Sequence, residues 1–401
     1  MGRIISDRSA LVEQAVKMRQ NGLTIPQVAA KLGASPSTVL RWCQSPEWYS
    51  KVHSPGAKPG SEQVGGEDAD DKTALRYYRD RCARYEAQDD RTTLIANKLL
   101  EAQSVVKSPQ PFVPSKMGPG DPETAVLLFS DGQIGQIAKK SETGFYDYNI
   151  KVFEQELRYL FDKFLYIVQL HRKSIPIRAV HVFFLGDNLE NETVFAGQPF
   201  EIELDVMEQF FVGVELITWF LVELSRHFDE VHTHWTSGNH GRLGRIGEHK
   251  WTVNWDYLFA KFIEQKLSAC KNVTFDIPKK WWNIVPVEGW KFLVIHGEDI
   301  RRYMKFPWYD TARFDADYSK ILQSIGETFT YLMFAHHHVP IQWDSPYGER
   351  IANGTFVGYN VWALKRLRAS VRPSQIMFMV HPRVGIASRY IIRLDTKEKK
   401  K

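Results

Sequence analysis

Cysteine is scarce. Cys43, Cys82 and Cys270 are the only ones in a 401-residue chain, and they are odd in number and widely spaced. They cannot build a disulfide framework or a zinc-finger spacing, so a reducing cytoplasm is the expected location. Long apolar runs are also missing. The most apolar stretch, Phe210 to Leu224, carries Glu215 and Glu223, which reads as a buried amphipathic helix and not as a membrane span. No secretory pattern opens the chain, and no membrane partner is expected. Nor does one sign of charge dominate: 52 Lys and Arg against 47 Asp and Glu leave +5. Such a balance tolerates a polyanionic partner without demanding one. What the chain does have suffices for a core. Hydrophobic residues make up 43%, including 24 Phe, and the length suits one large domain plus a smaller one.

Residues 1–49 read as one small domain in which residues 7–48 form three short helices. The first runs from about Arg8 to Gln20 and stops at Asn21-Gly22. The second opens on Thr24 as N-cap and carries Ile25, Val28, Ala29 and Leu32. After Gly33-Ala34 the third opens on Ser35 with Pro36 at its first position. Its Val39, Leu40 and Trp42 face the core, and Ser37, Thr38 and Arg41 face outward. This arrangement resembles the helix-turn-helix of homeodomain-like and transposase-type DNA binders. The resemblance implies that the third helix enters the major groove of DNA, with Ser37, Thr38 and Arg41 on phosphates or base edges. A three-helix adaptor that touches no nucleic acid is the alternative use of the same pattern.

Residues 50–70 are rich in Gly, Pro, Ser and charge and read as a flexible linker. Residues 71–107 read as a helical connector, helical from Asp71 to Val106, that either pairs with a second copy to give a homodimer or packs on the following domain. Residues 108–122, with five prolines and two glycines, read as a second linker. From 123 to 396 strands alternate with helices, expected at Tyr148–Arg172, 203–226 and 251–267, and the late strands form hairpins, which suggests two packed sheets with helices outside. Residues 397–401 are a basic tail.

In this last region several apolar strands run into polar, metal-capable residues, where open α/β sheets place their chemistry. The stretches are Leu127-Leu-Phe-Ser-Asp-Gly-Gln133, Phe183-Phe-Leu-Gly-Asp-Asn-Leu-Glu190, Trp235-Thr-Ser-Gly-Asn-His-Gly-Arg242, Leu293-Val-Ile-His-Gly-Glu298 and Phe334-Ala-His-His-His338. In this order they resemble the calcineurin-like metallophosphoesterase superfamily, whose pattern is Asp-x-His, Gly-Asp-x-x-Asp/Glu, Gly-Asn-His-Asp/Glu, a lone His, and Gly-His-x-His. Asn353-Gly354-Thr355 resembles the Asn-Pro-Gly-Ser segment that often follows. The resemblance implies an α/β fold, a two-sheet αββα sandwich, here preceded by the small all-α helix-turn-helix domain.

Chemistry gives the same pattern a separate reason. Phosphoester hydrolysis needs the anion neutralised and a water turned into hydroxide near pH 7, and two divalent ions about 3.5–4 Å apart do both. By the resemblance, Asp131, Gln133, Asp187 and His338 hold one ion, and Asp187, Asn239, His296 and His336 hold the other, with Asp187 bridging. His240 is then the general acid and Glu190 its orienter, although a plain solvent carboxylate is the alternative for Glu190. Arg242 and Arg245 follow and can grip phosphate. Gln133 stands where the family has His, and its amide oxygen favours Mn²⁺ or Mg²⁺ over Zn²⁺. Phage-encoded relatives are similar in carrying Asp-x-Gln. Gly241 replaces the usual acid, which counts against a protein phosphatase of the calcineurin type. His337 reads as a structural spacer, and His232 and His234 as core or surface. Trp281, Trp282, Trp290 and Trp308 suit buried packing or base stacking, and Lys365, Arg366, Arg368 and Arg372 suit a phosphate backbone or a solvated loop.

The expected activity is a dimetal phosphodiesterase acting on DNA, resembling the SbcD-like repair nucleases. A small-substrate phosphatase or cyclic-nucleotide phosphodiesterase is the second reading. The third is a DNA-binding architectural protein with a vestigial metal site, supported by Gln133 alone.

Overall fold

The computed structural model describes residues 14–15, 17–19, 21–32, 104–114, 116–195, 197–244, 250, 252–301, 308–345, 348–358 and 371–395. The segment expected to form the third N-terminal helix, with Ser37, Thr38 and Arg41, lies outside them. So do the linker 50–70, the connector as far as residue 103, Arg245, the run Lys365, Arg366 and Arg368, and the tail 397–401. The chain divides into two compact units, Met1–Tyr85 and Glu86–Lys401.

In the first unit α1 spans Ile25–Leu32. Thr24 opens it: its carbonyl accepts from Val28 N–H (3.0 Å), and Gln27 Oε1 reaches back to Thr24 N–H (2.9 Å). That return bond is half of a capping box. Gly22, at φ 82°, makes the turn before it. Ala15, Val28 and Ala29 are buried together.

The second unit has four layers. One sheet has the strand order β11-β10-β1-β2-β3-β4, the other β5-β6-β7-β9-β8. The strands are β1 (Thr124–Phe129), β2 (Ala179–Phe184), β3 (Glu230–Trp235), β4 (Val273–Asp276), β5 (Trp282–Val287), β6 (Trp290–Ile295), β7 (Tyr331–Phe334), β8 (Ile341–Ser345), β9 (Gly348–Ala352), β10 (Ser374–His381) and β11 (Gly385–Arg393). The helices are α2 (Lys140–Thr143), α3 (Ile150–Arg172), α4 (Val206–His227), α5 (Trp255–Lys266) and α6 (Trp308–Ser324). Strand alternation builds the layers. Ala125, Leu127 and Phe129 meet the apolar faces of α3, α4 and α5, whereas Val126 and Leu128 join Phe292, Met333 and Phe378 between the sheets. The far side of the second sheet packs Leu293, Ile295 and Leu332 against Phe314 and Leu322 of α6. This is the expected αββα sandwich. Among the described residues, no helix is long and apolar enough to cross a membrane.

Helix starts follow their caps, not the apolar pattern. Asn149 accepts from Val152 N–H (3.0 Å), so α3 begins at Ile150 and not at Tyr148. Asp205 and Glu208 form a full capping box, so α4 begins at Val206 and not near 203. Asn254 caps α5, which begins at Trp255 and not at 251. The short α2 and the 3-10 turn Gln198–Phe200 carry no sequence signal of that kind.

The segment before β1 corrects two expectations. Residues 104–107 are not helical, although the pattern predicts helix to Val106. Residues 108–114 and 116–122 are not a free linker either. The N–H groups of Val106, Phe112 and Gly118 donate to the carbonyls of Lys266 (2.9 Å), Arg226 (2.5 Å) and Arg172 (2.9 Å). Those carbonyls end α5, α4 and α3, where a helix leaves acceptors unpaired. An extended strap satisfies three helix ends at once, which a helix could not do.

Phe184, fully buried at the end of β2, stacks on Trp235 at 3.7 Å and meets Phe129 at 5.0 Å. Phe184→Ala is expected to cost about 3–5 kcal/mol of unfolding free energy in urea titration; a loss below about 1 kcal/mol would contradict the packing described.

Candidate metal centre

Five strand ends meet at the site. β1, β2 and β3 are parallel, as are β6 and β7 in the other sheet. Asp131 and Gln133 follow β1, Asp187 and Glu190 follow β2, and Asn239 and His240 follow β3. His296 follows β6, and His336 and His338 follow β7. At these corners the backbone turns left-handed: Asp131 (φ 49°), Gln133 (40°), Asp187 (54°), His336 (64°) and His338 (61°). Such conformations cost about 1–3 kcal/mol each and persist only where the surroundings enforce them. Here Asp131 N–H donates to Gly186 O (3.1 Å), Gln133 N–H to Asp187 O (3.0 Å) and Asp187 N–H to Asp256 Oδ2 (3.0 Å). Thr355 Oγ1 and Phe356 N–H both donate to Asp131 O (3.1 Å each), so the Asn353-Gly-Thr segment braces the first corner.

Asp187 is the centre. Its carboxylate is 1% exposed. Oδ2 stands 3.0 Å from His296 Nε2, and Oδ1 accepts His240 N–H (2.7 Å). One ligand atom each of Asp187, His296 and His336 lie within 4.8 Å of one another. Asn239 Oδ1 joins them, 3.1 Å from His296 Nε2. His296 Nδ1–H donates to Leu185 O (2.6 Å), which fixes the tautomer and aims Nε2 at the cluster. Burial alone would raise Asp187, but His296, His240 and His336 hold it well below the usual carboxylate range. Burial and the neighbouring His296 push His336 well below its ordinary value, leaving a neutral imidazole with a lone pair.

Asp131 is fully buried, and among the described residues neither of its carboxylate oxygens is hydrogen-bonded; His338 Nε2 stands 3.2 Å from Oδ1. Gln133 Oε1 is likewise buried without a donor, while its Nε2 stands 3.3 Å from His240 Nε2. Hard oxygen donors without protons to accept, beside imidazoles with fixed tautomers, fit a divalent cation.

Glu190 is fully buried, not the solvent carboxylate that was its alternative. His240 Nδ1 lies 3.2 Å from Glu190 Oε2 and 2.9 Å from its carbonyl. Gln198 Nε2 donates to Glu190 Oε1 (2.8 Å) and holds the carboxylate in turn. Burial would depress the His240 imidazole, but Glu190 and Asp187 outweigh it and push it up to about 10. Arg242 is ion-paired to Glu298 at the edge of the site.

The glycines of Gly-Asn-His-Gly have steric reasons. A Cβ at Gly238 would overlap Asp187 Oδ1, and one at Gly241 would overlap Asn254 Oδ1. The missing acid at position 241 is therefore a consequence of where Asn254 sits. Sequence reasoning passed over Asn254 and Asp256, which look like an ordinary helix start, and also Asn191 and Gln198. Asn191 Nδ2 donates to the carbonyls of His240 (2.6 Å) and Arg242 (2.7 Å).

Residues outside the cluster take ordinary roles. His337 packs edge-on against Phe334. His234 is buried between His181 and Asp276, 3.0 Å from each, while His232 is paired to Glu230 and Thr274. Trp281 packs on Phe314 and Tyr318, and Arg372 is bound to Asp395.

For His296, burial again works against protonation, but Asp187 pushes it up to about 10. Because His240 and His296 are both raised above 6.5, the stability they lend the metal-free protein is full below about pH 6.5 and is lost as pH climbs through about 10. After EDTA treatment, the gap in melting temperature between wild type and Glu190→Gln should therefore narrow as pH rises from 6.5 to 10. A constant gap would refute the His240–Glu190 coupling.

Residues 8–44 match the family model of a homeodomain-like domain. No curated protein matches the chain significantly. Among solved structures, the chain is similar to vacuolar protein sorting 29 from Cryptosporidium parvum, at 13% identity over 65% of this chain and 87% of that one, with a TM-score of 0.32. It is similar to an archaeal phosphodiesterase at 10% identity over 67% of this chain and 99% of that one, with a TM-score of 0.30. It is also similar to a zinc-bound vacuolar protein sorting 29 from Entamoeba histolytica, at 9% identity over 68% and 99%, with a TM-score of 0.27. At such scores the likeness bears on neither reaction nor substrate.

Proposed function

We propose that the chain is a dimetal phosphodiesterase that hydrolyses DNA, delivered to it by the N-terminal helix-turn-helix. The observation that carries this reading is the convergence of Asp187, Asn239, His296 and His336 on one buried point, beside the undonated oxygens of Asp131. Asp131, Gln133, Asp187 and His338 would hold one divalent ion, and Asp187, Asn239, His296 and His336 the other. Mn²⁺ or Mg²⁺ suits a set that includes an amide oxygen on each side. Bound there, the ions would supply charge neutralisation and water activation.

The chain's own groups supply the rest. Glu190 holds the His240 imidazole by Nδ1, so that Nε2 is the nitrogen left to protonate the departing sugar oxygen. The raised proton affinity of His240 keeps that proton in place at neutral pH. Asn239 adds an amide dipole where charge builds on the phosphoryl oxygens. Arg242, released from Glu298, would reach a phosphate. The homeodomain-like segment supports a polymeric substrate, with Ser37, Thr38 and Arg41 on the DNA.

The purified chain with Mn²⁺ is expected to cut DNA and bis-p-nitrophenyl phosphate, and to hydrolyse the monoester much more slowly. Asp187→Asn should remove activity on both diesters, and His240→Ala should lower kcat by about 10²–10⁴-fold. Undiminished turnover in His240→Ala would end its role as the acid. Salt-sensitive DNA binding with no turnover in any metal would end the enzyme reading. On the same DNA, Arg41→Ala should weaken binding and reduce the salt slope by about 1; an unchanged slope would place that residue off the phosphates.

A further inference from the structure

Asp256 lies in the first turn of α5, 2% exposed, outside every motif considered above. Its Oδ2 accepts the N–H groups of Asp187 (3.0 Å) and Gly238 (2.8 Å). Its Oδ1 accepts the N–H (3.1 Å) and the side-chain Nδ2 (2.8 Å) of Asn188. A carboxylate in a first helical turn ordinarily serves its own helix, through the dipole or the cap. This one does not. The cap of α5 is Asn254, whose Oδ1 takes Asp256 N–H (2.8 Å), and among the described residues all the donors on the Asp256 carboxylate come from the loops after β2 and β3.

We propose that Asp256 is a positioning residue for the metal centre, locking the loop that carries Asp187 to the loop that carries Asn239 and His240. The proposal rests on the metal-centre reading above. One oxygen atom receives N–H groups from both loops, so the bridging aspartate and the Gly-Asn-His turn share a single anchor. The anchor also explains how Asp187 keeps its left-handed backbone, since its N–H is held from behind while its carboxylate faces the cluster. Asn254 tightens the same joint by donating Nδ2 to Gly238 O (2.9 Å).

The residue type follows from the donors. A carboxylate accepts at both oxygens and donates nothing. An amide of the same shape accepts at one atom only, and its NH₂ would confront either the Asp187 and Gly238 N–H groups or the two donors of Asn188. An apolar side chain would fill the space at less electrostatic cost beside Asp187 but would leave buried N–H groups unpaired. Packing alone therefore does not call for an acid here.

The test uses the full chain and its Asp256→Asn variant. Bound Mn²⁺ is counted from the electron paramagnetic resonance signal of the free ion, and turnover of bis-p-nitrophenyl phosphate is followed in parallel. The variant is expected to lose about 10–100-fold in Mn²⁺ affinity. At saturating Mn²⁺ its kcat should fall with KM little changed, the pattern of misplaced groups and not of lost substrate contacts. A folded variant with wild-type Mn²⁺ affinity and kcat overturns the proposal. If Asp256→Asn does not fold, Asn254→Ser decides: serine still caps α5 but cannot reach Gly238, so a smaller loss of Mn²⁺ affinity in the same direction is expected, and none overturns the joint. Wild-type protein that binds no Mn²⁺ would instead overturn the metal-centre reading, and this proposal with it.

Discussion

Carboxylates buried out of reach of water are the constraint on which this structure turns. Asp131, Asp187, Glu190 and Asp256 are each no more than 2% exposed. A lone charge so placed costs several kcal/mol, and it is tolerated only with a partner. Three of the four accept hydrogen bonds within the chain. Asp187 faces imidazoles, Glu190 is gripped by Gln198 and His240, and Asp256 is surrounded by N–H groups. Asp131 faces the His338 imidazole, 3.2 Å from Oδ1, and has no hydrogen-bond donor among the described residues. A cation is the partner that the remaining oxygens and imidazoles are suited to hold, so the chemistry proposed for the site and the electrostatics of the core ask for the same thing.

The fold explains why the cost can be carried. Each ligand corner follows a strand packed on both faces: β1, β2 and β3 lie between the helices α3 to α5 and the second sheet, and β6 and β7 lie between the first sheet and α6. Rigid strands let residues two to four places beyond the ladder adopt a left-handed backbone that a free loop would relax. The corners are then tied to each other more than to their own strands. Asp131 N–H bonds Gly186 O, Gln133 N–H bonds Asp187 O, and Asp256 joins the loops after β2 and β3. Strain is thus spread over a network whose members hold one another.

Much of this was legible before any coordinates. The strand cores were, because runs such as Ala125 to Phe129 are apolar on both faces. The polar residues at their ends were, because Asp, Asn and His have no other reason to follow a buried strand in so regular an order. Helix starts were read a few residues early, since apolar spacing was followed where caps decide. Residues 108–122 read as a linker, because proline and glycine mark an extended chain equally well whether it is free or laid against helix ends, and residues 104–106 read as helix on apolar spacing alone. Asp256 and Asn254 were invisible, since Asn-x-Asp at a helix start is what any helix might carry.

By itself the sequence determined which residue types stand at the strand ends, which faces of the strands and helices are apolar, and that residues 8–44 match a homeodomain-like family model. Those properties are local, set by side-chain chemistry and by the periods of two and of 3.6 residues. Only the tertiary structure decided that Asp187 and Asn239 hang from one carboxylate, that Glu190 is buried against His240, and that Gly241 is small because Asn254 fills its space. Each of these is a contact between segments distant along the chain, and no local pattern records a distance between two loops until the sheets bring them side by side.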